Sequence, residues 1–282
     1  MDEPDVQDVV TISERGFAFG DLLGINYFQT YRRGYYASRL KGVLSPHRNY
    51  VRLLKCLEDI KEYNEQHASS FAKRLRENAN NWSNAEAVFA EIIVYRHYVR
   101  QAYEGLIKRV ELNSAESDVI VERLDGTRAY LEVFCVMPNF PISENGKPIV
   151  SEVKTHTQKA MGSIRQKLLQ KISVQRQLSK PRENYAVIEL NNPVIAGEFS
   201  VLSSLSSGLT ARLDSESMEI KSVYYDWKKS IFEDESTKFL KAVIYFDLGD
   251  YDSRKFVFNP RFQSPTAANH VESTDGANVH RA

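Results

Sequence analysis

The stretch from Asp118 to Met137 leaves the chain little local freedom. Asp118-Val119-Ile120-Val121-Glu122 is rich in β-branched residues, Leu124-Asp125-Gly126-Thr127 carries the Asp-Gly pair of a tight turn, and Arg128 to Met137 forms a second β-prone run. The stretch reads as a β-hairpin. Side chains alternate with a period of two along a strand. Asp118 therefore shares a face with Ile120, and Glu132 shares one with Tyr130 and Phe134. A carboxylate set among Leu131, Val133 and Phe134 is costly to bury unless it is paired or holds a cation.

Around this hairpin the chain reads as a mixture of helices and strands. From Asn49 to Asn78 apolar residues recur at Val51, Leu54, Leu57 and Ile60 between charged ones, which predicts one amphipathic helix. Asn80-Asn81-Trp82-Ser83 breaks it. Ser83, with Glu86 three residues on, has the spacing of a capping box for a second, strongly apolar helix running to about Gly105. Residues 138–150, with three prolines and a glycine, read as a loop. Met161, Ile164, Leu168 and Ile172 form one stripe of a helix over 157–178. Tyr185–Leu190 and Ala242–Asp247 are short buried strands, and 255–260 closes the sequence of elements. This order predicts an α/β sandwich with a mixed sheet. A doubly wound fold is excluded, because the alternation is irregular and no G-x-G-x-x-G follows a strand.

The expected organisation is a loose acidic arm over 1–20, a helical, aromatic and basic region over 21–80, an α/β domain over 81–262 and a disordered tail over 263–282. Of the 282 residues 42% are hydrophobic, too many for a disordered chain. Two cysteines, Cys56 and Cys135, make neither a disulfide framework nor a four-ligand zinc site. The acidic N-terminus lacks the basic start and apolar stretch of a signal peptide, and no apolar run approaches the ~18 residues of a membrane span. The expectation is a reduced, cytoplasmic protein with no membrane segment. The six histidines show no H-E-x-x-H spacing, and there is no G-x-S-x-G and no P-loop.

Asp118 and Glu132 on neighbouring strands, with Glu86 from the preceding helix or Glu91 as its alternate, offer oxygen ligands suited to a hard divalent cation. A helix bearing Glu, a strand beginning with Asp, a hairpin, a second strand bearing Glu and then a basic helix make up the layout of the PD-(D/E)XK nuclease superfamily. The chain resembles that family at Glu86, at Ser117-Asp118 and at Glu132-Val133-Phe134, over roughly residues 80–195. The resemblance implies a three-layer, restriction-endonuclease-like α/β/α sandwich with a mixed central sheet. It also implies Mg²⁺ or Mn²⁺ held by Asp118, Glu132, the Val133 carbonyl and Glu86, with hydrolysis of a nucleic-acid phosphodiester. The implied substrate is DNA first, and the implied assembly a homodimer.

One departure stands out: Phe134 occupies the position of the family's lysine. In some members that lysine moves to the following helix, where Lys171, or second Lys167, can serve. Other members have lost activity, so a nucleic-acid-binding or protein-interaction module is the alternative.

Charge is unevenly spread in a chain whose formal net charge is zero. From Ser151 to Arg182 there are eight basic residues and one acid, Glu152; from Tyr27 to Lys55 there are seven basic residues and no acid. Tyr27, Phe28, Tyr31, Tyr35, Tyr36 and Tyr50 interleave with the second group. Cations beside aromatics suit a phosphate backbone with stacked bases. Arg32, Arg33, Arg165, Lys167, Gln175 and Arg176 are accordingly the candidate nucleic-acid contacts. A solvated basic face balanced by acids elsewhere is the plainer explanation of the same charges.

Overall fold

The computed structural model describes residues 46–78, 82–113, 117–136, 153–175, 177–190, 198–213, 220–227, 230–247, 250–262 and 279–280. The acidic arm, the stretch 21–45 with Arg32 and Arg33, Arg176, the loop 138–150 and most of the tail lie outside these residues. Contacts divide the chain near Gly105 into a helical unit and a sheet unit.

The helical unit contains α1 (Pro46–Tyr63), α2 (Glu65–Glu77) and α3 (Trp82–Tyr103). The single amphipathic helix expected over 49–78 is thus two. Asn64 lies between them with extended backbone (φ −156°, ψ 104°), and its side chain accepts the His67 N–H at 3.1 Å. An asparagine carboxamide that satisfies an orphan N–H of the first turn favours a new helix start over continuation. Asn64→Ala should lower unfolding stability by about 1 kcal/mol, read as the shift in a denaturant midpoint. An unchanged midpoint would show that the cap contributes nothing.

α3 begins at Trp82, so Ser83 falls inside the first turn and does not take the capping position expected of it. Leu53, Leu57, Ile60, Phe71, Leu75 and Ile92 are fully buried. The helices are tied by Arg96 Nε to Asp59 at 2.5 Å and by a two-pronged pair from Arg74 to Glu91. α3 groups with α1 and α2, and the sheet unit begins at Leu106.

The sheet unit has an α/β fold: a mixed, open seven-stranded sheet with helices along the chain. Its strands are β1 (Arg109–Asn113), β2 (Ser117–Glu122), β3 (Arg128–Val136), β4 (Glu183–Leu190), β7 (Leu240–Asp247), β8 (Lys255–Phe258) and β9 (Val279–His280), hydrogen-bonded in that order. β3, β4 and β7 run parallel, whereas β1–β2, β2–β3 and β7–β8 are antiparallel pairs. β5 (Gly208–Leu213) and β6 (Ile220–Asp226) form a separate hairpin.

The crossover from β3 to β4 contains α4 (Val153–Leu169), which passes into a π-helical turn over Gln170–Val174. Of the expected stripe, Ile164, Leu168 and Ile172 are buried and Met161 is half-buried, and α5 (Glu198–Leu205) packs on α4. β4 is buried from Asn184 to Leu190, as befits a central strand with parallel neighbours on both sides.

β1 was not expected from the sequence; Arg109, Glu111 and Asn113 alternate with only two apolar residues, Val110 and Leu112, in a five-residue edge strand. The hairpin turn spans Arg123–Thr127, wider than a two-residue Asp-Gly turn. Asp125 accepts both the N–H and the hydroxyl of Thr127, and Gly126 takes φ +83°, a region that other residues enter at a cost. No helix among the described residues is long and apolar enough to cross a membrane.

Candidate active site

β3 outruns β2. Their ladder runs from Glu122↔Arg128 to Val119↔Leu131, while β3 continues to Val136. Alternate residues of a strand turn both main-chain groups toward the same neighbour, and from the Leu131 carbonyl onward side chains meet those groups. Ser117 Oγ donates to the Leu131 carbonyl at 2.7 Å, the Val133 N–H donates to Asp118 Oδ2 at 2.8 Å, and Lys167 Nζ donates to the Cys135 carbonyl at 2.7 Å. An unpaired buried main-chain group costs ~1–3 kcal/mol, so these contacts fix where Ser117, Asp118 and Lys167 point. The Val133 carbonyl turns toward the same uncovered edge as its N–H.

The even-numbered residues of β2 and β3 share one sheet face, and that face holds the chemistry. Lys171, in the π-helical turn, places Nζ 2.6 Å from Glu132 Oε2 and 3.5 Å from Asp118 Oδ2. Its own carbonyl accepts the N–H groups of Gln177 and Leu178, which anchors the end of the turn. Glu132 is 1% exposed, and its Oε1 has no hydrogen-bond partner among the described residues. The nearby Ser117 hydroxyl spends its proton on Leu131.

Burial, and then the Asp118 charge, push the Glu132 carboxyl up to about 7, against the opposing pull of Lys171. Lys167 stands 5.9 Å from the centre of the Phe134 ring; burial, with repulsion from Lys171, pushes its ammonium down, against an opposing pull from Cys135.

Glu122, on the same face, shows what a purely structural carboxylate looks like here. It accepts from Lys108 at 2.6 Å, Arg109 at 2.9 Å and Arg128 at 3.0 Å, and the hydrogen bonds from Lys108 and Arg109 bring its carboxyl down to about 2. Both Glu122 oxygens are therefore taken by cations. Glu132 has one cation for two oxygens and a protonation equilibrium near neutrality, which marks it as the group poised to bind something.

Of the residues singled out from the sequence, the fold brings together Asp118, Glu132 and Lys171. Lys171 rather than Lys167 reaches the carboxylates, and Lys167 instead caps the overhanging end of β3. Val133 meets Asp118 through its N–H, where its carbonyl was the expected participant. Glu86 and Glu91 belong to the helical unit, where Arg74 holds Glu91. Arg165 is exposed and reaches the Ser204 carbonyl at 3.4 Å, and Gln175 is exposed at the end of the π-helical turn.

Sequence reasoning passed over one pair. Arg182 lies over Tyr130, its guanidinium carbon 3.9 Å from the ring centre, on the same face and one alternation from Glu132. Tyr130 had been placed on that face and Arg182 counted in the basic run, yet only the β3–β4 register, Tyr130↔Asn184, juxtaposes them.

Comparison with family models, with curated proteins and with solved structures finds no match to this chain.

Proposed function

We propose that the sheet unit is a metal-dependent nuclease of the PD-(D/E)XK type, a restriction-endonuclease-like sandwich that hydrolyses nucleic-acid phosphodiesters, DNA first. The observation that carries the reading is the triad of Asp118, Glu132 and Lys171, with one buried Glu132 oxygen left without a hydrogen bond. The order hairpin, crossover helix, parallel strand around that triad also supports it.

The donor set fits Mg²⁺ or Mn²⁺. Two carboxylates, with the Val133 carbonyl at the same strand edge, are hard oxygen ligands, and an unpaired buried carboxylate oxygen is relieved by a cation. Asp118 and Glu132 would hold the ion. A divalent cation in such a site lowers the pKa of bound water and neutralises phosphate charge.

The chain's own groups do the rest. Lys171 balances the two carboxylates and points an ammonium at the place where a phosphate oxygen arrives, the role left vacant by Phe134. Phe134, buried beneath Lys167, keeps water from that corner. A homodimer and a cytoplasmic location belong to the same proposal.

The second reading is a binding module. The ion pairing of Lys171 with both carboxylates, together with Phe134 in the lysine position, favours it. Incubation of the protein with plasmid, single-stranded DNA and RNA, each with Mg²⁺, Mn²⁺ or EDTA, separates the two. Cleavage that needs metal and stops in EDTA is the expected result. Binding without cleavage on every substrate would leave the module.

A further inference from the structure

Lys171 Nζ lies 2.6 Å from Glu132 Oε2 and 3.5 Å from Asp118 Oδ2. An ammonium beside two carboxylates stands where a hard cation would stand, and it offsets the cost of burying their charge. A second cation on the same carboxylates meets its repulsion, so the lysine and a metal ion compete for one seat.

We infer that Lys171 is a resident counter-ion of the proposed metal site, held on the carboxylates until a divalent cation moves it off them. The inference rests on the metal-dependent reading and adds a regulation to it. Without nucleic acid the lysine keeps the seat, and metal binds weakly. Once displaced, the same ammonium is the one offered to a phosphate.

The carboxylates keep their places without the lysine. Asp118 Oδ2 accepts the Val133 N–H at 2.8 Å, a main-chain contact that fixes it to β3. Glu132 is carried by β3 itself, which pairs with β4 through Glu132↔Ala186. Its Oε1 is buried and accepts no hydrogen bond among the described residues, so the lysine meets only part of what this carboxylate can accept.

The backbone of Lys171 is anchored, since its carbonyl accepts the Gln177 N–H at 2.9 Å and the Leu178 N–H at 3.3 Å. The exchange is therefore a rotation of the side chain, for which a four-carbon stem has the freedom. Lys167, one turn earlier, is engaged elsewhere: its Nζ donates to the Cys135 carbonyl at 2.7 Å.

The test is Mn²⁺ binding by the full chain at pH 8 without nucleic acid, with free Mn²⁺ read by electron paramagnetic resonance. Wild type is compared with Lys171→Met and with Lys238→Gln, an exposed lysine of the same unit. A charge within ~4–6 Å moves proton binding at a carboxylate by about 1–3 pKa units. Mn²⁺ carries twice the charge of the proton that Glu132 takes up in the variant, so it gains more from the loss of the ammonium. Lys171→Met should bind Mn²⁺ at least about tenfold tighter than the wild type, and Lys238→Gln should match the wild type.

Equal or weaker binding by folded Lys171→Met overturns the inference, as does an equal gain in Lys238→Gln or Mn²⁺ binding by neither wild type nor Lys171→Met. If Lys171→Met does not fold, acetylation of the wild type by acetic anhydride, followed by mass spectrometry, decides the matter. Mn²⁺ should raise the yield at Lys171 relative to Lys238, and an unchanged or lower yield overturns the inference. Plasmid cleavage keeps the hydrolase reading separate. Metal-dependent cleavage with no gain in Lys171→Met binding retains the hydrolase and removes the counter-ion. Tighter binding by Lys171→Met, with no cleavage of any substrate by the wild type, does the reverse.

Discussion

Asp118→Asn should abolish metal-dependent cleavage while leaving the fold intact. The amide oxygen of asparagine can still accept the Val133 N–H that Asp118 Oδ2 accepts at 2.8 Å, so the link between β2 and β3 survives. The substitution removes the negative charge. Stabilisation of transition-state charge by a bound cation is worth several kcal/mol, and each ~1.4 kcal/mol is tenfold in rate, so the loss should be about a hundredfold or more. Asp118→Ala would add the cost of an unpaired Val133 N–H, ~1–3 kcal/mol, which makes asparagine the cleaner variant. Cleavage rates on plasmid with Mg²⁺, beside circular dichroism of the same preparation, read the result. Undiminished cleavage by folded Asp118→Asn would remove the carboxylate pair from the mechanism.

Lys171→Met should destabilise the metal-free protein by about 1.4 kcal/mol more at pH 8 than at pH 5. The folded Glu132 carboxyl lies at about 7, raised from an ordinary value of 4.5. A carboxyl raised on folding binds more protons in the native state. Its contribution to stability is therefore complete below about 4.5 and is lost as pH rises through about 7.

Lys171 limits that loss by pairing with the ionised form, at 18% side-chain exposure against 1% for Glu132. Without Lys171 the Glu132 carboxyl takes up a proton rather than stay buried and charged, so the extra loss at pH 8 over pH 5 is that of protonating a group at about 7 one pH unit higher, about 1.4 kcal/mol. Glu132→Gln should do the opposite and flatten the decline of stability between pH 5 and 8. Urea unfolding in EDTA at the two pH values checks both variants. Equal destabilisation of Lys171→Met at pH 5 and 8 would mean that Lys171 acts by packing alone.

Much of the sheet unit was legible because its signals are local. The β-branched run before Asp125-Gly126, the apolar run of Tyr185–Leu190 and the four-residue spacing of Ile164, Leu168 and Ile172 each specify burial within a few residues of themselves. The breaks were harder to see. Asn64 interrupts a helix because its side chain captures one N–H, a competition that apolar periodicity does not register. β1 escaped because it is short: two apolar residues, Val110 and Leu112, alternating with polar ones over five positions make too brief a pattern to stand out. The π-helical turn at Gln170–Val174 carries no compositional mark.

The candidate site divides along the same line. That Asp118 shares a face with Ile120, and Glu132 with Tyr130 and Phe134, follows from alternation alone, and so does the conflict of a carboxylate in an apolar run. Alternation cannot show how far β2 extends along β3. Only the folded sheet leaves Val133 and Cys135 uncovered, turns Asp118 onto the first and Lys167 onto the second, and so leaves Glu132 to Lys171. Lysine and arginine side chains are long enough to reach several partners from one backbone position. Their choice is made by where the β3–β4 crossover lays the helix and by which main-chain groups remain unpaired, and both depend on contacts remote in sequence.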